Sequence, residues 1–137
     1  MAEVSLKDYV LRGMAGRWEL PVKHADAFTA GIADLSAWIA PAGNIWIELK
    51  SRAIWPRKED SIVKFELDAL QKRFLVARRG WCLCRCAREY LLFTHAMATR
   101  LDTQEATRAA LYTWALAVWK NRIDWKEFAE CVSRRYI

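Results

Sequence analysis

Ile45-Trp46-Ile47-Glu48-Leu49-Lys50, preceded by the turn-forming Pro41-Ala42-Gly43-Asn44 and by Gly31-Ile32-Ala33-Asp34, decides how this chain folds. Apolar and β-branched residues on both sides of a Pro/Gly/Asn cluster predict strands over 32–40 and 45–50, joined as an antiparallel hairpin. Residues two apart on a strand share a face, so Glu48 and Lys50 project together while Ile47 and Leu49 point into a core. A hairpin symmetric about its turn sets Asp34 near Ser51, beside Lys50. Two carboxylates and an ammonium then meet at the end of the hairpin far from its turn.

Downstream, residues 51–61 read as a polar, basic loop that leaves Ile54 and Trp55 available to a ligand. Asp68, followed three residues later by Gln71, has the form of a capping box and predicts a helix over about 69–79, closed by Gly80. Trp81–Cys86 and Glu89–Thr94 read as two further strands. Upstream, Ser5 caps a helix over 5–15 that Gly13 and Gly16 weaken and end, and 18–23 is extended. In the last third Thr103 caps a helix carrying Leu111, Trp114, Ala115 and Val118, and Asp124 caps one carrying Trp125, Phe128, Ala129 and Val132. Their tryptophan-rich stripe reads as core, with a dimer contact as the second reading.

No repeat or linker divides the chain, so the expectation is one α/β domain over 1–137, a central mixed sheet flanked by helices. Its core runs to about residue 95, and a helical extension follows from about residue 100. The 54% hydrophobic content suffices for a continuous core. No apolar run approaches the roughly 20 residues of a membrane-spanning helix, and the N-terminus lacks a signal-peptide pattern, which predicts a soluble, cytoplasmic protein.

Lysine and arginine number 22 against 16 acids, a formal charge of +6 that favours a polyanionic partner. The basic residues, Arg52, Arg57, Lys58, Lys72, Arg73, Arg78, Arg79, Arg134 and Arg135 among them, are scattered, which suggests a charged face on a folded body. Cys82, Cys84 and Cys86 alternate along one strand, a spacing unlike a zinc site, and read as buried free thiols. No motif places a base beside a cysteine nucleophile, and His24 reads as structural or solvated although it is near Asp34 in sequence.

Carboxylates are the ligands Mg²⁺ prefers, and the rest of its shell comes from water and substrate phosphate. Asp34 and Glu48 would hold such an ion, and Lys50 would orient the attacking water or offset charge on the phosphoryl oxygens. The bland alternative is an exposed lysine–carboxylate pair worth about 0–1 kcal/mol.

Over about residues 20–95 the pattern resembles the PD-(D/E)XK nuclease superfamily, most closely its phage-encoded and VRR-NUC-type members. Gly31-Ile32-Ala33-Asp34 is similar to that group's Gly-x-Pro-Asp, with Ala33 in place of the proline, and Glu48-Leu49-Lys50 is similar to its Glu-x-Lys. The resemblance implies a restriction-endonuclease-like αβββαβ core. It makes Asp34, Glu48, Lys50 and Gln71 catalytic, and Asp34, Glu48 and the Leu49 carbonyl ligands of Mg²⁺, with Mn²⁺ as a substitute. Gln71 has a competing role as the cap of its own helix, and Glu3 or Glu19 is the candidate for a further upstream ligand.

Members of this size resemble Holliday-junction resolvases, which implies a homodimer acting on branched or junction DNA, in a host cytoplasm if the chain is phage-encoded. Lys23, Arg52, Arg57, Lys58 and Lys72 are the candidate DNA contacts. A flap, nicking or restriction-type nuclease is the second enzyme reading. A non-catalytic nucleic-acid-binding or assembly protein is the reading from another class.

Overall fold

The computed structural model describes residues 5–24 and 31–134, so Glu3 and Arg135 lie outside the described residues. Taken in chain order, the elements begin with a helix α1 (Leu6–Gly13) and a strand β1 (Glu19–Lys23). The expected hairpin follows as β2 (Leu35–Ile39) and β3 (Gly43–Arg52), paired antiparallel from Leu35↔Ile47 to Ile39↔Gly43. Its turn is shorter than the sequence suggests. Gly43, at φ 83°, takes a left-handed conformation as the first residue of β3, so Gly43 and Asn44 belong to the strand. The register therefore shifts, and Asp34, one step before β2, falls opposite Glu48 rather than near Ser51.

Helix α2 (Ala69–Arg78) has the expected capping box at Asp68 and Gln71. It ends on Arg79 in the left-handed region, φ 52°, and not on Gly80. Gly80 serves close packing instead, since a Cβ there would lie 2.8 Å from Leu75 Cδ2 and 3.0 Å from the Trp46 carbonyl oxygen. Strand β4 (Trp81–Cys86) runs parallel to β3, and β5 (Glu89–Thr94) runs antiparallel to β4.

The last third departs from a purely helical extension. After a short α3 (His95–Ala98), Thr107 rather than Thr103 caps α4 (Arg108–Trp114). The chain leaves the helix at Ala115 and adds β6 (Ala117–Lys120) to the edge of β5. The helical spacing from Leu111 to Val118 is a local signal. The free edge of β5 offers a row of backbone partners that β-forming Val118 and Trp119 use and a helix cannot. Asp124 caps the last helix, α5 (Trp125–Val132), as expected.

The six strands form one mixed sheet in sequence order, β1 to β6, and the fold is α/β. Alternation along the strands separates two hydrophobic clusters. On one face Leu35, Ile47, Leu83 and Leu92 pack with Val10 of α1, with Met14 just after it, and with Phe128 and Val132 of α5. On the other, Cys82, Cys84, Leu91 and Phe93 pack with Leu75 of α2, Ala98 of α3 and Leu111 of α4. Gly13 does more than end α1: a Cβ there would sit 1.9 Å from the Trp125 ring, so its bare backbone lets α5 dock on α1. Cys82, Cys84 and Cys86 are buried free thiols, and among the described residues no helix is long and apolar enough to cross a membrane.

Candidate active site

Strand β3 alternates between the two clusters, and its Trp46, Glu48, Lys50 and Arg52 share the face that carries α2. The parallel register places Cys82 beside Glu48 and Cys84 beside Lys50, so two buried thiols, 3.8 Å apart at sulfur, line the sheet next to the charged residues. At the open end of the hairpin the Asp34 carboxylate joins them, fixed by the Leu49 N–H donating to its Oδ2 at 2.8 Å. The Leu49 main chain thus runs beside the Asp34 carboxylate.

Glu48 is only 2% exposed and is the one buried charged side chain among the described residues. Gln71 Nε2 donates weakly to its Oε1 at 3.4 Å, and its buried Oε2 receives no hydrogen bond from any donor. Loss of hydration, then the hydrogen bond and negative charge of Asp34, push its carboxyl up to about 9, against a weaker pull from Lys50. Near neutral pH the side chain therefore holds a proton that a cation at the same place would displace. The two roles of Gln71 are compatible: its Oε1 accepts from the Asp68 N–H at 3.0 Å while its Nε2 faces Glu48.

Lys50 is held from the other side. Its ammonium donates to the Glu66 carbonyl at 3.1 Å, and Glu66 has a left-handed backbone, φ 60°. That conformation is clamped by Asp102, whose two carboxylate oxygens accept from the Phe65 and Leu67 N–H groups, each at 2.6 Å. The same turn receives the Lys72 ammonium on the Leu101 carbonyl at 2.6 Å. Residues 101–102 thereby fix both the start of α2 and the carbonyl that meets Lys50. Sequence reasoning missed Asp102 because it acts from across the fold. Its one local sign is a turn of small and polar residues, Asp102-Thr103-Gln104-Glu105.

His24 also sits here: its backbone N–H donates to the Asp34 carbonyl at 2.8 Å, its Nε2 is 2.7 Å from Ser36 Oγ, and its ring stacks on Trp46. Glu19 does not reach the cluster, since it pairs with Trp38 at the opposite end of β2. Among the candidate DNA contacts, Lys23 pairs with Asp8 at 2.9 Å and Arg52 donates to the Ile54 and Lys64 carbonyls, whereas Arg57 and Lys58 are exposed. Trp55 turns inward to donate to Glu89 at 2.7 Å beneath the Arg108 guanidinium, leaving Ile54 exposed on that loop.

The donor set fits a hard, oxygen-seeking cation. Among the described residues no group of three or more histidine, cysteine and acidic side chains is arranged for a metal, so carbonyl, water or substrate oxygens would have to complete the shell of any ion held here. Mg²⁺ is ordinarily bound in that way, through one or two carboxylates, and Glu48 Oε2, which receives no hydrogen bond and lies beside a second carboxylate, is an oxygen that such an ion would satisfy. No family model matches the chain, and no curated protein matches it.

Proposed function

We propose that the protein is a Mg²⁺-dependent endonuclease with a PD-(D/E)XK core, hydrolysing phosphodiester bonds of DNA, with branched or junction DNA as its substrate, cytoplasmic action and a homodimeric state. The observation that carries this reading is Glu48, a buried carboxylate with an oxygen that receives no hydrogen bond, beside Asp34 and on the same strand face as Lys50. The element order α1-β1-β2-β3-α2-β4 supports it, because it follows the αβββαβ order that the resemblance implies.

Asp34, Glu48 and the Leu49 carbonyl would hold Mg²⁺ or Mn²⁺. Bound there, such an ion polarises a phosphate and lowers the pKa of water. The chain's own contribution is orientation. The Leu49 N–H fixes Asp34, Gln71 steadies Glu48, and the Glu66 carbonyl keeps the Lys50 ammonium beside them, where it offsets negative charge on a phosphoryl group.

The test is a panel of labelled four-way junction, flap, duplex and single-stranded DNA, incubated with Mg²⁺ or EDTA, with Lys50→Ala alongside. Paired symmetric cuts in the junction, absent with EDTA and in the variant, are expected. Metal-dependent cutting of another member reassigns the substrate to a flap, nicking or restriction-type activity. No cutting of any member by folded protein favours a non-catalytic nucleic-acid-binding protein.

A further inference from the structure

Beyond Lys50 and Arg52, strand β3 runs into the loop over 53–61, where the side chain of Ile54 is 69% exposed. A single exposed isoleucine ordinarily needs no explanation. This one differs in how firmly the chain around it is held.

The Ile54 carbonyl accepts from Arg52 Nε at 2.9 Å, and the same guanidinium donates to the Lys64 carbonyl at 3.1 Å. The next residue, Trp55, turns inward. Its indole N–H donates to Glu89 of β5 at 2.7 Å, the Arg108 guanidinium of α4 lies 4.6 Å from its ring centre, and the Tyr112 ring packs 5.8 Å away. Pro56 follows, with its own φ fixed by the ring and a helical backbone disfavoured at Trp55. Ile54 is therefore fastened on both sides, and only its side chain is given to solvent. A side chain displayed in that way costs little ordering when something binds it.

Position relates Ile54 to the catalytic cluster. Trp55 packs against the same hydrophobic cluster as Leu75 of α2, so the loop lies on the sheet face that carries Glu48 and Lys50. One stretch of main chain supports both, because Lys50 donates to the Glu66 carbonyl and Arg52 to the Lys64 carbonyl. Ile54 follows Lys50 by four residues, at most about 14 Å of extended chain, or about four nucleotides of a DNA strand. Just past it, Arg57 and Lys58 are exposed and form no ion pair among the described residues, and the exposed Glu59 and Asp60 lie further along the loop.

We infer that Ile54 is a wedge that enters the base stack of DNA whose backbone is held by Arg57 and Lys58, within about four nucleotides of the bond being cut. The inference rests on the nuclease reading for the distance to the cut. An aliphatic side chain inserted between base steps partly unstacks them and kinks the duplex. At a branch point a step is already open, so insertion there costs less than in an intact helix. Ile54 thereby favours branched DNA over duplex without reading any base edge.

The test is binding by the full chain in EDTA to a labelled four-way junction and to an intact duplex of the same length, with Ile54→Ser and Ile54→Leu. The side chain is exposed, so neither change is expected to move the melting temperature. Ile54→Ser is expected to weaken junction binding about tenfold and to leave duplex binding as it was, whereas Ile54→Leu keeps both. A fluorescent base analogue at the branch point is expected to brighten when the wild type binds and to stay dim with Ile54→Ser. Wild-type junction preference in Ile54→Ser, the result for a loop that docks a protein instead, overturns the wedge, and so does an equal loss on both DNAs. Because binding is read without metal, absence of cutting in Mg²⁺ by a protein with the expected preference overturns the nuclease reading alone. Cutting with a junction preference independent of Ile54 overturns the wedge alone.

Discussion

Replacing Glu48 by glutamine removes an ionisable proton and almost no volume, and its effect on stability follows from where the carboxyl sits. The ordinary value of 4.5 applies to the unfolded chain, and burial beside Asp34 raises it to about 9 in the fold. A raised folded value makes its stability contribution full below 4.5 and progressively lost as pH rises towards 9. At pH 7 the folded chain holds a proton that the unfolded chain has released. At 1.36 kcal/mol per unit over about 2.5 units, that penalty is about 3 kcal/mol at most. Glutamine never ionises and still has a donor to offer Asp34.

Glu48→Gln is therefore expected to match the wild type near pH 4 and to exceed it by up to about 3 kcal/mol at pH 7, on the order of 10 °C in melting temperature for a chain of this size. The assay is thermal unfolding followed by circular dichroism in EDTA at pH 4, 5.5, 7 and 8.5, with cleavage measured on the same samples in Mg²⁺. Greater stability with no cleavage is the expected outcome. A variant that is less stable than the wild type by the same amount at every pH refutes the reasoning.

Asp102→Ala strands the Phe65 and Leu67 N–H groups and frees the Glu66 carbonyl from its fixed position, so it is expected to cost about 2–4 kcal/mol by chemical denaturation. It should also lower kcat more than it raises KM, because the Lys50 ammonium loses its support. Gly13→Ala is expected to destabilise by about 1–3 kcal/mol although alanine is the better helix former, because the Trp125 ring occupies the space, and a melting curve reads this directly. Thiol titration of the native protein should find Cys82, Cys84 and Cys86 unreactive and at most Cys131 accessible, with all four reacting in denaturant.

The elements legible in the sequence are those whose signals are local. The capping box at Asp68 and Gln71 placed α2, and the alternation between turn residues placed β4 and β5 with the bounds found in the structure. β6 was hidden because Leu111 to Val118 has helical spacing, and only the edge of β5, remote in sequence, makes a strand of its end. The hairpin register was off because Gly43 has a turn residue's composition and a strand residue's place.

The candidate site divides in the same way. The spacing of Asp34, Glu48 and Lys50 pointed to a shared end of one hairpin, where the register places Asp34 opposite Glu48. The burial of Glu48 depends on Cys82 and Gln71, and the support of Lys50 on Asp102, none of which a local pattern can reveal. Glu19 was a candidate ligand by type alone, and strand direction carries it to the other end of β2.

The central claim is that Asp34 and Glu48 together form a metal-dependent phosphodiester-cleaving centre. The most direct measurement compares single-turnover cleavage of a four-way junction by wild type and Asp34→Asn in Mg²⁺, with junction binding measured in parallel in EDTA. The account predicts cutting by the wild type and none by the variant, with equal binding by both. Equal cutting by the two proteins, or no cutting by a wild type that binds the junction, would contradict it.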